Sequence, residues 1–254
     1  MSEFKLPTEI VDLPSQGKLY ASDSPLAEGK IEMKYMTAKE EDILTNQAYI
    51  RDGIVLDKLL QSLIVTKFNY SDLLIGDKNA IMVAARILGY GKDYKFNYAS
   101  EEQVVDLSQI EPLPLTDEVK KAESNEFSFT LPSSENTVTF KLLTHKDEKK
   151  IEQELKGLSK INKKSSPIVT TRLKHQILSV NGEDELPKVR EFVDNFLLAQ
   201  DSRALREEIK RIGDDYLRII KNFNNDGFND FVIDKMPANI YQVGLIKICF
   251  PSAK

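Results

Sequence analysis

An internal repeat constrains the fold of this chain more than any other feature of its sequence. A shift of 107 residues aligns the segment that begins near Lys30 with the segment that begins near Thr137. Later in the chain, the match continues once small gaps are allowed between the aligned segments. The aligned positions are Ile31/Val138, Met33/Phe140, Lys34/Lys141, Met36/Leu143, Thr37/Thr144, Lys39/Lys146, Glu41/Glu148, then Leu63-Ile64/Ile177-Leu178, and at an offset of 124 Asp77/Asp201, Ala80/Ala204, Ile81/Leu205 and Gly89/Gly213. This order predicts two copies of one structural unit, each of which buries one face.

The elements of the unit follow from hydrophobic periodicity and helix signals. Residues 30–35 alternate polar and apolar side chains, which predicts a half-buried strand. Thr37 and Glu40 have the spacing of a capping box, so a helix is expected to begin there and to end near Gly53. Helical spacing continues over residues 55–64, and Asp77 is predicted to cap a third helix. The predicted fold class is therefore α+β and mostly α-helical, with two repeated strand-plus-three-helix modules and an extended N-terminal arm.

Composition changes along the chain predict five regions. Residues 1–30 carry three prolines and are expected to form an extended arm, and residues 31–98 form the first helical module. Residues 99–136, with two prolines around Leu113, are predicted to be a linker. The second module covers 137–221, and an aromatic and apolar C-terminal tail covers 222–254.

Two interpretations of the arm remain open at this point. It packs on its own domain, or it docks on a partner protein. On the second interpretation the docking residues are apolar anchors of the arm and of the tail, and removal of residues 1–25 is expected to leave a folded chain that no longer binds. These partner-binding candidates are Leu13, Leu19, Tyr20, Ile246, Ile248 and Phe250.

Charge and cysteine usage exclude several classes of protein. Thirty-five basic and forty acidic residues give a net charge of −5, which argues against nucleic acid as the main ligand. The single cysteine, Cys249, closes no intrachain disulfide, so a reducing compartment is the default. No stretch of the chain approaches 18 consecutive apolar residues, so no membrane partner is expected.

The sequence contains no recognisable catalytic constellation. His145 and His175 both lie among lysines, which is typical of solvated helix positions. The run Gly89-Tyr90-Gly91-Lys92 follows a predicted helix instead of opening one, and is therefore a helix stop and not a phosphate loop. We predict no catalytic, cofactor-binding or metal-binding residue and a protein that is not an enzyme. The alternative is a helical nucleic-acid-binding regulator that uses the lysines of residues 156–164.

Several motifs together resemble a known family. They are Leu13-Pro14-Ser15-x-Gly-x-x-Tyr20, Met36-Thr37-Ala38-Lys39-Glu40-Glu41-Asp42-Ile43-Leu44-Thr45-Asn46, Asp57-x-Leu-Leu60, Gly76-Asp77, Leu142-Leu143-Thr144, Ser179-Val180-Asn181-Gly182, Asp201-Ser202-Arg203-Ala204-Leu205-Arg206 and a terminal Phe250-Pro251. Over nearly its whole length the chain resembles the baseplate hub assembly family of T4-like contractile-tailed phages (T4 bacteriophage base plate protein).

The resemblance implies a non-enzymatic tail baseplate hub assembly factor or structural component that acts through contacts with other hub proteins. It also implies assembly in the host cytoplasm, and it leaves open both retention in the virion baseplate and the oligomeric state. One feature departs from the family. Several members carry Cys-x-x-Cys pairs that look like zinc knuckles, and the corresponding regions here contain none. Metal binding is therefore not carried over from the family.

Overall fold

A computed structural model describes residues 5–98, 101–109, 114–161 and 167–214, and its architecture is the mixed, mostly helical α+β fold that the sequence predicts. It opens with an antiparallel hairpin of β1 (Thr8–Asp12) and β2 (Lys30–Lys34). Val11 pairs with Ile31 on the inner face, whereas Ile10 pairs with Glu32 on the outer face. The arm therefore contributes a strand to the first module, together with a 3-10 turn at Pro25–Glu28.

Four helices complete the first module: α1 (Ala38–Thr45), α2 (Gln47–Asp52), α3 (Val55–Leu63) and α4 (Ile75–Tyr90). The capping box of Thr37 and Glu40 is confirmed. The prediction of a single helix up to Gly53 is wrong, because the side-chain oxygen of Asn46 accepts two backbone N–H groups and caps a second helix. Gly53 and Gly91 follow α2 and α4 with φ of 71° and 81°, as expected of glycines that end helices.

The segment predicted to be a linker contains regular structure. After α4, β3 (Asp93–Tyr98) pairs with β4 (Glu101–Asp106), a 3-10 turn covers Leu107–Gln109, and α5 (Asp117–Lys121) follows. Leu115 and Val119 are buried in the core of the second module. The linker prediction for 99–136 is therefore wrong for most of the described part, because it rested on the local effect of the two prolines and did not include the pairing of β4 with β3 or the burial of Val119.

The second module is built on a three-stranded sheet with the order β5-β6-β7, formed by β5 (Phe127–Thr130), β6 (Thr137–Phe140) and β7 (Ile177–Val180). Its helices are α6 (His145–Ile161), α7 (Ile168–Gln176), α8 (Leu186–Asn195) and α9 (Ala199–Ile209), and a distorted turn at Lys210–Asp214 follows α9. The predicted tail, residues 222–254, lies outside the described residues.

The two modules share one plan, which extends the repeat seen in the sequence. In each module a hairpin precedes a capped helix, and a residue just after a later helix pairs with the second strand of that hairpin. Met33 bridges to Ile64 in the first module, and Phe140 pairs with Ile177 in the second. Because Ile64 and Ile177 both directly follow their helices, the sequence alignment of Leu63 with Ile177 is wrong by one residue.

Two apolar clusters form the core. The first is built by β1, β2 and the helices of the first module, and the second by the three-stranded sheet and the helices α5, α7, α8 and α9. Leu19 and Leu74 belong to the first module in sequence but lie in the second cluster, and the side chain of Tyr20 packs against both clusters. Apolar burial thus joins the modules. In the described ranges, no helix has the length and apolar character needed to cross a bilayer.

Candidate functional site: the contact between the modules

An aspartate from a later helix holds the Leu-Pro-Ser turn of each hairpin. In the first module, Asp77 Oδ1 accepts the Ser15 backbone N–H at 2.9 Å, and Asp77 Oδ2 accepts the Ser15 hydroxyl at 2.6 Å. In the second module, Asp201 accepts the backbone N–H groups of Ser133 and Ser134 at 2.7 and 3.0 Å. We call these contacts the two turn clamps.

Each clamping aspartate is the third residue of its helix, not the cap. The prediction that Asp77 caps α4 is wrong, because α4 begins at Ile75 and the carboxylate crosses to the hairpin turn instead. Both aspartates are fully buried. Burial raises the pKa of Asp77 although the bonds from Ser15 and Tyr20 oppose the shift. The pKa of Asp201 is lowered, since its bonds from Ser133 and Ser134 outweigh the opposing desolvation.

The predicted docking residues of the arm lie inside this chain. Leu13 is buried in the first cluster and Leu19 in the second. The Tyr20 hydroxyl donates to Asp77 Oδ2 at 2.6 Å and accepts the Leu74 backbone N–H at 3.0 Å. For these residues the structure therefore has the arm packed on its own chain. The tail candidates Ile246, Ile248 and Phe250 lie outside the described residues.

The two modules meet backbone to backbone where α4 and α6 begin. Leu74 and Thr144 form an antiparallel bridge. The Ile75 N–H donates to the Leu143 carbonyl at 3.0 Å, and the His145 N–H donates to the Leu73 carbonyl at 2.8 Å. These amides belong to the first residues of their helices and have no acceptor within them. Each module therefore satisfies an otherwise unpaired helix amide of the other.

A polar cluster lies beside this bridge, with Asp57 of α3 at its centre. Asp57 Oδ1 accepts from Lys78 Nζ at 2.6 Å and from the Tyr70 hydroxyl at 3.3 Å. Asp57 Oδ2 lies 3.0 Å from Lys149 Nζ and 3.7 Å from His145 Nε2. Since His145 and Lys149 belong to α6, the cluster connects the modules by charge as well as by backbone.

Electrostatics in the cluster fix its protonation state. Burial, reinforced by the positive charge of Lys78, lowers the pKa of His145 to about 4, so the imidazole is neutral at pH 7. Its Nδ1 lies 3.3 Å from Lys78 Nζ, and an ammonium group can only donate, so Nδ1 is the acceptor. Desolvation opposes ionisation of Asp57, yet Lys78 and its other partners hold the pKa of the carboxyl below its usual range.

Chemically, this cluster orients the modules. Asp57, Lys78 and His145 are each at most 8% exposed, and the carboxylate oxygens of Asp57 are occupied by donors from both modules. A buried ion pair adds little net stability, but removal of one member leaves an uncompensated charge, so the arrangement discriminates strongly against misaligned modules. The ring of Tyr70 packs edge-on against His145, with ring centroids 4.7 Å apart.

This cluster was not predicted from the sequence. The prediction that His145 is solvated is wrong, because the side chain is buried against the other module. One signal was present in the sequence: Asp57 interrupts the apolar stripe of α3. An acidic residue on such a stripe requires a partner when buried, but periodicity alone could not identify a partner in α4 or α6.

The capping box of Thr37 and Glu40 has a counterpart in the second module, where the Thr144 N–H donates to Asp147 Oδ2 at 3.1 Å and the Asp147 N–H donates to Thr144 Oγ1 at 3.4 Å. Each box carries a matching ion pair. Lys34 Nζ lies 2.9 Å from Glu40 Oε1, and Lys141 Nζ lies 2.8 Å from Asp147 Oδ1. Although burial opposes the shift, bonds from Thr37, Lys34 and Ser62 lower the pKa of Glu40 to about 2. This equivalence of detail supports the duplication.

The other residues considered in the sequence, the lysines of 156–164 and His175, do not form a reactive site among the described residues. Lys156 and Lys160 are exposed near the end of α6, whereas Lys163 and Lys164 lie outside the described residues. His175 Nε2 lies 3.0 Å from Glu154. Among the described side chains, no group of three or more His, Cys, Asp or Glu residues is arranged to hold a metal ion.

Comparison with known proteins finds no matching family model, no matching curated protein and no matching solved structure.

Proposed function

We propose that this chain is a non-enzymatic assembly factor or structural component of a phage tail baseplate hub, acting through contacts with other hub proteins. The proposal starts from the motif resemblance. The structure adds a physical meaning to those motifs, because their residues form the scaffold: Ser15 and Asp77 make a turn clamp, and Thr37 and Glu40 make a capping box.

The observation that carries the proposal is the outer face of the first hairpin. Ile10, in the middle of β1, is 61% exposed, and Leu6 just before the strand is 51% exposed. The outer edge of β1 pairs with no other strand among the described residues. An exposed strand edge with apolar side chains suits the addition of an extended segment from a partner. Because Leu13 and Leu19 are buried, Leu6 and Ile10 replace them as the proposed docking residues of the arm.

The test follows the chain during tail assembly. Tagged full-length chain is produced in cells that assemble the phage tails, and hub intermediates and finished particles are separated by sedimentation and identified by mass spectrometry. We expect the chain in hub intermediates and expect Ile10→Glu to reduce its amount there at least about tenfold, the effect of losing one buried apolar anchor. Val169→Glu, at an exposed valine of α7, is the control and should not change the amount of the chain in hub intermediates. Absence of the wild-type chain from every hub intermediate would contradict the proposal.

A further inference from the structure

The contact between the modules uses one surface of each module, and the equivalent surfaces make no such contact among the described residues. Leu74, next to α4, packs against the beginning of α6 in the second module. The repeat places Leu198, next to α9, at the position of Leu74, and Thr37 at the position of Thr144. A two-fold arrangement of the modules would bring Leu198 and Thr37 together within the chain. No such bridge is present among the described residues, so the internal contact is head to tail.

Exposure differs sharply between the used and the unused surface. Leu74 is 2% exposed, whereas Leu198 is 49% exposed and the neighbouring Phe196 is 61% exposed. On the other surface, His145 is buried, whereas Ala38 at the equivalent position is exposed. The apolar area that the internal contact covers is thus uncovered at its two counterparts.

Backbone groups show the same difference. In the internal contact, the first amides of α4 and α6 donate to the carbonyls of Leu143 and Leu73. Their counterparts are the amides of Ala199 and Ala38 and the carbonyls of Met36 and Leu197. None of these four groups has a hydrogen-bond partner among the described residues. Two open surfaces therefore carry complementary donors and acceptors at the spacing of an interface that the chain already makes.

We propose that a second copy of this chain occupies these surfaces, with Leu197–Ala199 of one copy bridging Met36–Ala38 of the next. Head-to-tail contacts of this kind extend into a ring or an open chain and do not stop at a dimer. The charged cluster of the internal contact is not repeated, because Thr170 and Asp42 stand where Asp57 and Lys149 would be expected. The contact between copies is therefore weaker than the contact within one chain.

Complementation between two variants tests the proposal with the full-length chain. Leu198→Asp removes the apolar contact but puts a favourable capping residue before α9. Ala38→Pro removes the amide at the first position of α1, where proline is well tolerated. The residue before it, Thr37, is already extended, with φ −113° and ψ 172°, as a residue that precedes proline must be. The fold is expected to survive both changes, which circular dichroism checks.

Sedimentation velocity is measured over roughly 1 µM to 1 mM, the range of weak association. We expect wild-type chain to form species larger than a dimer, each variant alone to remain monomeric, and an equimolar mixture of the variants to form a dimer. Leu186→Asp, at an exposed leucine that begins α8, is the control and should associate like wild type. A monomeric wild type across the whole range, or a mixture that associates no better than its components, would overturn the proposal.

Discussion

The two hairpin turns begin with the same Leu-Pro-Ser sequence but have different structural roles. The first runs from Leu13 to Gly29 and the second only from Leu131 to Asn136, and each is closed by a hydrogen bond between those end residues, of 2.8 and 2.9 Å. The additional residues of the first turn include Leu19 and Tyr20, which reach the core of the second module. The longer turn therefore also connects the two modules, while both turns are held by the same kind of clamp.

The largest effect is expected from removal of the longer turn. Deletion of residues 1–25 takes away β1, the Ser15 side of a clamp, and the buried Leu13 and Leu19. Burial of these residues reverses the expectation of a folded truncated chain, and we predict loss of the cooperative thermal transition of the first module. Deletion of residues 1–6 is the control, and it should leave the transition in place. Thermal unfolding followed by circular dichroism decides between the outcomes.

The second prediction compares one left-handed residue from each turn. Gly17 has φ +77°, and a Cβ there would lie 2.3 Å from the Ala27 carbonyl oxygen, so Gly17→Ala should lower the free energy of unfolding by about 4 kcal/mol. Glu135 has φ +58° and already carries a side chain. Glu135→Gly should change the free energy of unfolding by less than about 1 kcal/mol. Equal effects in urea unfolding would show that the turns are equally packed.

The third prediction concerns pH and the cluster between the modules. The pKa of His145 is lowered from 6.5 to about 4, so the unfolded chain takes up a proton first as the pH falls. The free energy of unfolding should therefore decrease between pH 6.5 and 4, by about 3 kcal/mol from this residue. The lowered pKa of Asp57 also decreases the free energy of unfolding as the pH falls, but at lower pH. The raised pKa of Asp77 has the opposite effect and increases the free energy of unfolding as the pH falls.

Comparison with His145→Gln isolates the histidine, because the glutamine oxygen can still accept from Lys78. The variant should lose less stability than wild type over the same pH window. If urea unfolding at a series of pH values gives parallel curves for the two proteins, His145 is not the titrating group.

The smallest predicted effect is the difference in free energy of unfolding between asparagine variants of the two turn clamps. Asp201 accepts two backbone amides, which can only donate, so an asparagine NH₂ group there faces a donor. At Asp77 one oxygen accepts hydroxyl groups, which can reverse their role. Asp201→Asn should therefore be more destabilising than Asp77→Asn, by about 2 kcal/mol in urea unfolding. The opposite order would mean that the negative charge matters more at Asp77 than the hydrogen bonds do.

Local signals predicted the elements of this fold better than they predicted its connections. The alternation of residues 30–35, the Thr37–Glu40 box and the stops at Gly53 and Gly91 depend on neighbours in sequence, and the structure contains each of them. The linker prediction failed because β4 and β5 are held by partners elsewhere in the chain. Secondary-structure propensity describes the preference of a residue by itself, and it does not include the pairing with another strand that overrides this preference.

The sequence alone determined that this protein is a mostly helical α+β chain with a repeated unit, because repeats, helix caps and hydrophobic periodicity depend on the order and spacing of residues along the chain. Only the tertiary structure decided that the arm is part of the core, that Asp77 and Asp201 clamp turns, and that Asp57, Lys78 and His145 meet between the modules. The reason is physical. Asp77 lies 62 residues from Ser15, and Lys78 lies 67 from His145, so these contacts exist only once packing has brought distant segments together and removed the water between them.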